Sequence, residues 1–209
     1  MKKYFQLFCM LLAIALMSCG NQEIEQYVEG IKHQRAAKLH EFLDGNKSPL
    51  GEENLANAEP LKYFPIDANW RLQGELNLLN SFQTIVLPKS KDSSDKMLKW
   101  GIVQFAYADK KHQLSVFKPI KDALDTAFED YLFIPFYDQT NGETTYINGR
   151  YLYPEQIDER TLLLDFNTVS NPYCAYADKW NCTMPPPENV LNVKVEAGEK
   201  KYREHTAEK

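Results

Sequence analysis

The start of the chain decides how much of it is available to fold. Lys2 and Lys3 precede an apolar run from Phe5 to Met17, broken only by Gln6, and the run ends in Leu16-Met17-Ser18-Cys19. Such a run is too short to cross a bilayer comfortably and has the flanks of a secretory leader. A Cys directly after it, with a small residue before and Leu three before, is the pattern of a bacterial lipoprotein processing site. Met17 is a less usual occupant of its position. An ordinary leader cut after Ser18 and a short transmembrane anchor are the plainer alternatives. Processing at Cys19 sets residues 1–18 aside as a leader and makes 19–22 a lipidated Cys (palmitate among its acyl chains) with a short tether. More than one chain on that sulfur gives stable attachment, which a single chain does not. The fold is then built from the 191 residues 19–209. That is enough for one domain with a real core, expected over 23–200, with a charged, frayed tail over 201–209.

Cysteine usage follows from the same reading. Of four cysteines, Cys9 leaves with the leader and Cys19 takes lipid, so Cys174 and Cys182 remain. An even remainder in an exported chain reads as a disulfide. The rival is a metal or redox pair, which a CxxC spacing would favour and this wider gap does not. None of His33, His40, His112 and His205 lies near in sequence. Loss of Lys2 and Lys3 leaves 22 bases against 29 acids. That balance argues against nucleic acid and against a polybasic grip on lipid, so the membrane is expected as a partner through the acyl chains alone. Gly20 stands where an Asp would commonly mean inner-membrane retention, which points to the outer membrane in a host with two. Glu23 and Glu25 are also compatible with display at the cell surface.

A helix is expected from Asn21, as its cap, to Gly45, with Ile24, Tyr27, Val28, Ile31, Leu39 and Phe42 on one stripe. Residues 46–60 read as loop. Strands are expected over Gln83–Leu87, Trp100–Ala108, Gln113–Ile120, Leu162–Phe166 and Asn192–Glu196, with a short helical turn over Asp122–Glu129. Asn141-Gly142 reads as a two-residue hairpin turn. It would set Phe136 opposite Ile147 and Phe133 opposite Arg150. Pro135 then requires an edge or a bulge. The fold class is mainly β (α+β): an antiparallel sheet forming a sandwich or a partly closed barrel, with an N-terminal amphipathic helix.

Several segments form an ordered set: Ser48-Pro49-Leu50, Tyr63-Phe64-Pro65-Ile66-Asp67, Phe133-Ile134-Pro135-Phe136, Gly149-Arg150-Tyr151, Asp165-Phe166-Asn167, Asn171-Pro172-Tyr173-Cys174-Ala175-Tyr176, Pro185-Pro186-Pro187-Glu188-Asn189 and Ala197-Gly198-Glu199-Lys200. In these the chain resembles the bacterial family catalogued as domain of unknown function 1684, here as a lipid-anchored member. Thr183-Met184 departs from the Pro-Leu common in that family. The resemblance implies one domain, often exported or lipid-anchored, and no reaction.

Arg150, Asp165, Asn167, Tyr173, Tyr176 and Glu188 are the candidate ligand-binding residues, for a small-molecule or glycan ligand among aromatic rings. The plainer reading makes the Asp and Asn turn residues and Arg150 a buried ion pair. A hydrolase would use Asp165 and Glu188 as paired carboxylates, which requires them to be a few ångströms apart. No G-x-S-x-G, HExxH or P-loop is present. The expectation is a non-catalytic envelope binding domain with no cofactor and no metal. Whether it is an enzyme stays open, and no catalytic residue is assigned.

Overall fold

The computed structural model describes residues 2–120 and 131–203. The expected turn Asp122–Glu129 lies outside them. The chain forms two compact units, Met1–His40 and Glu41–Lys209.

The first unit is helical. Helix α1 spans Lys2–Leu43 without a break. Asn21 therefore sits inside a helix rather than capping one, because no Pro interrupts residues 2–43 and the isolated Gly20 and Gly30 are tolerated within the helix. The helix stops two residues before Gly45. Among the described residues, no helix is long and apolar enough to cross a membrane.

The second unit is a β structure of two sheets. After a short helix α2 (Glu52–Leu55) come β1 (Arg71–Pro88), β2 (Ser94–Tyr107) and β3 (Lys110–Pro119). They are followed by β4 (Ile134–Asp138), β5 (Arg150–Leu152), β6 (Glu155–Gln156), β7 (Thr161–Asp165) and β8 (Val190–Leu191). One sheet has the order β3-β2-β1-β7-β6, the other β5-β4-β8, and neither closes into a barrel. Leu76, Val103, Leu114, Leu162 and Leu164 of the first meet Ile134, Phe136, Leu152 and Leu191 of the second in one core. This is the sandwich alternative.

The strands are longer than their apolar runs suggest. β1 and β2 pair from Glu75↔Gln104 to Pro88↔Ser94, interrupted once. Leu78 faces Gly101 and Gln83 faces Lys99, so residues 79–82 stand against Trp100 alone. This bulge folds Phe82 flat onto Trp100, with rings 4.2 Å apart and 1° from parallel. Ala108 and Asp109 both hold positive φ and form the tight turn into β3, one residue earlier than expected. β3 is buried on both faces from Leu114 to Phe117. Leu114 and Val116 enter the main core, whereas Phe117 joins Leu87, Met97 and Phe133 in a second cluster. Phe117 and Phe133 exchange two backbone bonds of 2.8 Å, which ties the edge of β3 to the chain entering β4.

The β4–β5 pairing corrects the expected register. Phe136 faces Arg150 and Ile134 faces Leu152, a shift of three residues. Asn141-Gly142 does not close a two-residue turn, because the Asn side chain is used inside the loop. Asn141 Oδ1 accepts from the Asp138 N–H at 2.6 Å, and its Nδ2 donates to the Tyr146 carbonyl at 2.8 Å. Ile147, expected opposite Phe136, is exposed instead. Pro135 fits because β8 pairs only with Tyr137 and Asp138, in parallel.

No strand forms over 192–196. Instead the segment after β8 closes the end of the sandwich through polar contacts. Gly198 permits this route: at φ +74 a Cβ would lie 2.6 Å from the Val169 carbonyl oxygen. The tail also departs from expectation at its start. Tyr202 is buried with Phe42, Leu50 and Tyr176, so the chain is packed past Gly198.

Candidate functional site

The six expected site residues do not meet in one pocket. Arg150 projects from β5 into the interior, and neither its side chain nor that of Asp138 has any exposure. Its Nη2 donates to Asp138 Oδ2 at 2.8 Å and to the Val195 carbonyl at 2.8 Å. Its Nη1 donates to the carbonyls of Ala197 at 2.6 Å and Glu199 at 3.1 Å. Asp138 Oδ1 accepts from the Thr140 N–H at 2.7 Å and the Val195 N–H at 3.3 Å. Burial pushes the Arg150 pKa down, against the opposing pull of Asp138 and Glu199. The guanidinium is thus a clamp on residues 195–199, and no ligand can reach it. This corrects its expected place in a binding site.

Tyr176 is buried beside that clamp. Its hydroxyl donates to Glu199 Oε2 at 2.6 Å, and the same oxygen accepts from the Asn171 N–H at 2.7 Å. Burial and the Glu199 charge hold the Tyr176 phenol well above its usual range. Glu199, which sequence reasoning passed over, is a buried carboxylate at the centre of this network.

Asp165 and Asn167 are also committed to structure. Asp165 ends β7 and caps the turn after it, accepting from the Asn167 N–H at 3.0 Å. Asn167 binds the backbone of Asp67 twice: its Oδ1 accepts from N–H at 3.0 Å and its Nδ2 donates to the carbonyl at 2.8 Å. A carboxamide here replaces one rung of a ladder.

Pro185–Pro187 deliver Asn189 and Glu188 to opposite duties. Asn189 is buried: it accepts from Ser115 N–H at 2.7 Å and donates to the Ser115 and Pro135 carbonyls at 2.9 Å each. Glu188 points outward to Lys99 at 3.0 Å. Burial works against ionisation of Glu188 but is outweighed by its hydrogen bonds, Lys99 among them, so its pKa is lowered. Asp165 sits opposite Arg71 at the start of β1, whereas Lys99 lies opposite Gln83. The strands carry those positions roughly 25 Å apart. Carboxylates that cooperate in glycoside hydrolysis stand within about 10 Å. Asp165 and Glu188 are not a pair.

Tyr173 is half exposed and leans on Trp180 with ring centroids 5.1 Å apart. Next to it, Cys174 and Cys182 lie side by side as free thiols, so the expected bridge is not formed in this structure. Cys182 Sγ accepts from the Cys174 N–H at 3.1 Å. The hydrogen bond from Cys182 draws the Cys174 thiol down to about 7. The same contact, with burial, drives Cys182 upward. Among the described residues no group of His, Cys, Asp and Glu could hold a metal ion.

One concave surface among the described residues lies on the outer face of the larger sheet. Glu75, Gln104 and Gln113 stand in one row across β1, β2 and β3. Ala106 and Lys111 pair in the next row, near Gln73. The small Ala106 between longer side chains opens a depression of about 560 Å³. Sequence reading missed it because these are simply the polar positions of alternating strands. The signal was three carboxamides, a carboxylate and an ammonium at strand spacing.

Residues 57–200 match the family described as "Protein of unknown function (DUF1684)". That is more than half of the chain, and the chain belongs to this family. A solved structure is similar as well: an uncharacterized protein of Haloarcula marismortui, determined by solution NMR, at 27% identity and TM-score 0.65. The match covers 88% of this chain and 99% of that one. That relative is an archaeal protein. No curated protein matches.

Proposed function

We propose that this chain is an envelope lipoprotein, acylated on Cys19, whose β unit is a non-catalytic binding domain. Its ligand class is polar and hydroxyl-rich, of which glycans are the natural example, and its binding face is the outer face of the larger sheet. The observation that carries this reading is the depression bounded by Gln73, Glu75, Gln104, Lys111 and Gln113. No side-chain hydrogen bond within the described protein occupies these five groups. Carboxamides both donate and accept, so a row of them suits hydroxyls, which do the same. Arg150, Asp165, Asn167 and Tyr176 serve by holding the scaffold behind that face, while Tyr173 and Glu188 stay accessible elsewhere. In a host with two membranes, Gly20 after Cys19 favours the outer one.

Binding of envelope glycan fragments to the full chain, measured by calorimetry and by the shift in melting temperature they cause, tests the face. Gln104→Ala combined with Gln113→Ala should weaken binding about thirtyfold, the effect of losing roughly one net hydrogen bond of about 1 kcal/mol per amide, without lowering the unliganded melting temperature. Unchanged affinity would remove the face from consideration. Incorporation of labelled palmitate, lost in Cys19→Ala, tests the anchor separately.

A further inference from the structure

β1 lies inside its sheet for only part of its length. From Arg71 to Glu75 it pairs with β7, and on that same side the Leu76 N–H donates to the Arg160 carbonyl at 2.7 Å. At the other end the Pro88 carbonyl accepts from the Met184 N–H at 2.7 Å. Between these two contacts β1 pairs with β2 alone. On the side away from β2, no described residue bonds to the backbone over 77–87.

Pro88 fixes which groups are open. Its carbonyl points away from β2, and residues of an antiparallel pair alternate, each sending its N–H and C=O to the same side. Lys89 accordingly turns inward, its N–H donating to the Ser93 carbonyl at 3.0 Å. Thr84 and Val86 therefore direct both backbone groups outward. Both residues are exposed, Val86 at 61%. The bulge at 79–82 limits the regular edge to Gln83–Leu87. From Leu76 to Leu87 the strand holds no charged residue, no Gly and no Pro. Open edges are ordinarily guarded by Lys, Pro or an inward charge, and this stretch has none of them.

We infer that this edge is a self-association surface, on which β1 of one copy pairs antiparallel with β1 of a second about a two-fold axis at Ile85. Thr84 of each copy then stands opposite Val86 of the other. Each of these pairs exchanges two N–H···O=C bonds, so every open group of the two residues is closed. Ile85 meets its own counterpart as the non-hydrogen-bonded pair between them, with Cα atoms about 4.5 Å apart. The larger sheet runs on across the axis from one copy into the next.

Two features favour a second copy over a foreign strand. A two-fold contact sets a strand against itself, so any charge in it would meet its like, and here there is none to repel. An edge that captures a foreign peptide selects it through pockets for alternate side chains. Thr84 and Val86 stand out from the surface and form no such pocket, whereas β-branched side chains of this kind pack well on one another across a strand pair. The pairing needs neither the anchor at Cys19 nor the ligand face.

Sedimentation equilibrium of the full chain in detergent, over a range of protein-to-detergent ratios, measures the association. Two copies per particle are expected at high ratio and one at low. The Thr84 and Val86 amides should exchange with deuterium slowly in the dimer and freely in the monomer. Val86→Pro removes an outward N–H that the β1–β2 ladder does not use, so the fold should keep its melting temperature. It deletes two of the four bonds and should weaken association about thirtyfold. Should that variant unfold, Thr84→Lys takes its place, sets an ammonium on the edge of each copy and should also weaken association. A single copy at every ratio overturns the inference. So does a dimer that survives these substitutions, or one in which the Thr84 and Val86 amides exchange freely, since another surface would then hold it.

Discussion

Arg150 has no route to solvent, and every contact of its terminal nitrogens is internal. Removing one member of a buried ion pair strands the other, at a cost of about 3–5 kcal/mol. Arg150→Ala should therefore lower stability by that amount, read from the urea midpoint, and should loosen 195–199. A midpoint equal to wild type would show that the clamp is dispensable. Phenols offer a second test at this scale. Burial raises the pKa of Tyr146, Tyr151 and Tyr176, with the Glu199 charge adding to the effect at Tyr176. A folded-state pKa above the unfolded value of about 10 contributes stability that is complete below pH 10 and lost as pH rises beyond it. The melting temperature should hold from neutral pH to about pH 10 and then fall, with phenolate absorbance of these rings rising in step with unfolding. Normal titration of all tyrosines in the folded protein would contradict this. Residue chemistry was partly legible in sequence: an Arg among aromatic and acidic residues was identifiable as either a site or an ion pair. Only the three carbonyls around it decide between them, and carbonyl positions depend on tertiary path.

At the scale of elements, alternation revealed the strands but not their ends. β1 begins at Arg71, well before the apolar run at Gln83, because Gln73, Glu75 and Asn77 lie on its solvent side and dilute the pattern. The β4–β5 register departs from the expected one for a chemical reason. Asn141-Gly142 has the composition of a tight turn, yet Asp138, Thr140 and Thr145 compete for the same backbone and side-chain groups and widen the loop. The role of Asn189 was likewise invisible, since a lone Asn after three prolines suggests a turn. It joins β3 to β4 with three hydrogen bonds in a buried site. Asn189→Ala leaves the Ser115 N–H without that partner and should cost about 2–3 kcal/mol. The melting temperature measures the loss, and faster exchange of the Ser115 amide localises it. A variant with wild-type melting and unchanged exchange would mean that β3 and β4 are held by Phe117 and Phe133 alone.

For the whole molecule, compartment and covalent state are one question. Cys182 is pinned to the β1–β2 turn: Ser90 N–H donates to its carbonyl at 2.8 Å, and its own N–H donates to Ser90 Oγ at 3.0 Å. Lys89 pairs with Thr183 across the same junction. Cys174 lies within reach of that fixed point, in the segment that carries Tyr173 and Tyr176. A chain delivered to an oxidising envelope should therefore join the two sulfurs, with loss of two hydrogens to a disulfide-bearing oxidant that leaves as a dithiol. Closing so short a loop adds about 2.5 kcal/mol in the chain-entropy model. Protein isolated from the envelope, unfolded without reductant and treated with an alkylating agent, should take up no label at Cys174 or Cys182. The double substitution Cys174→Ser with Cys182→Ser should unfold at lower urea, and wild type should match it only after reduction. Full labelling of both thiols in envelope protein would show that the pair is kept reduced where the chain resides. That result would count against export to an oxidising compartment, whereas a protected pair would agree with the anchor read at Cys19, which the palmitate experiment measures independently.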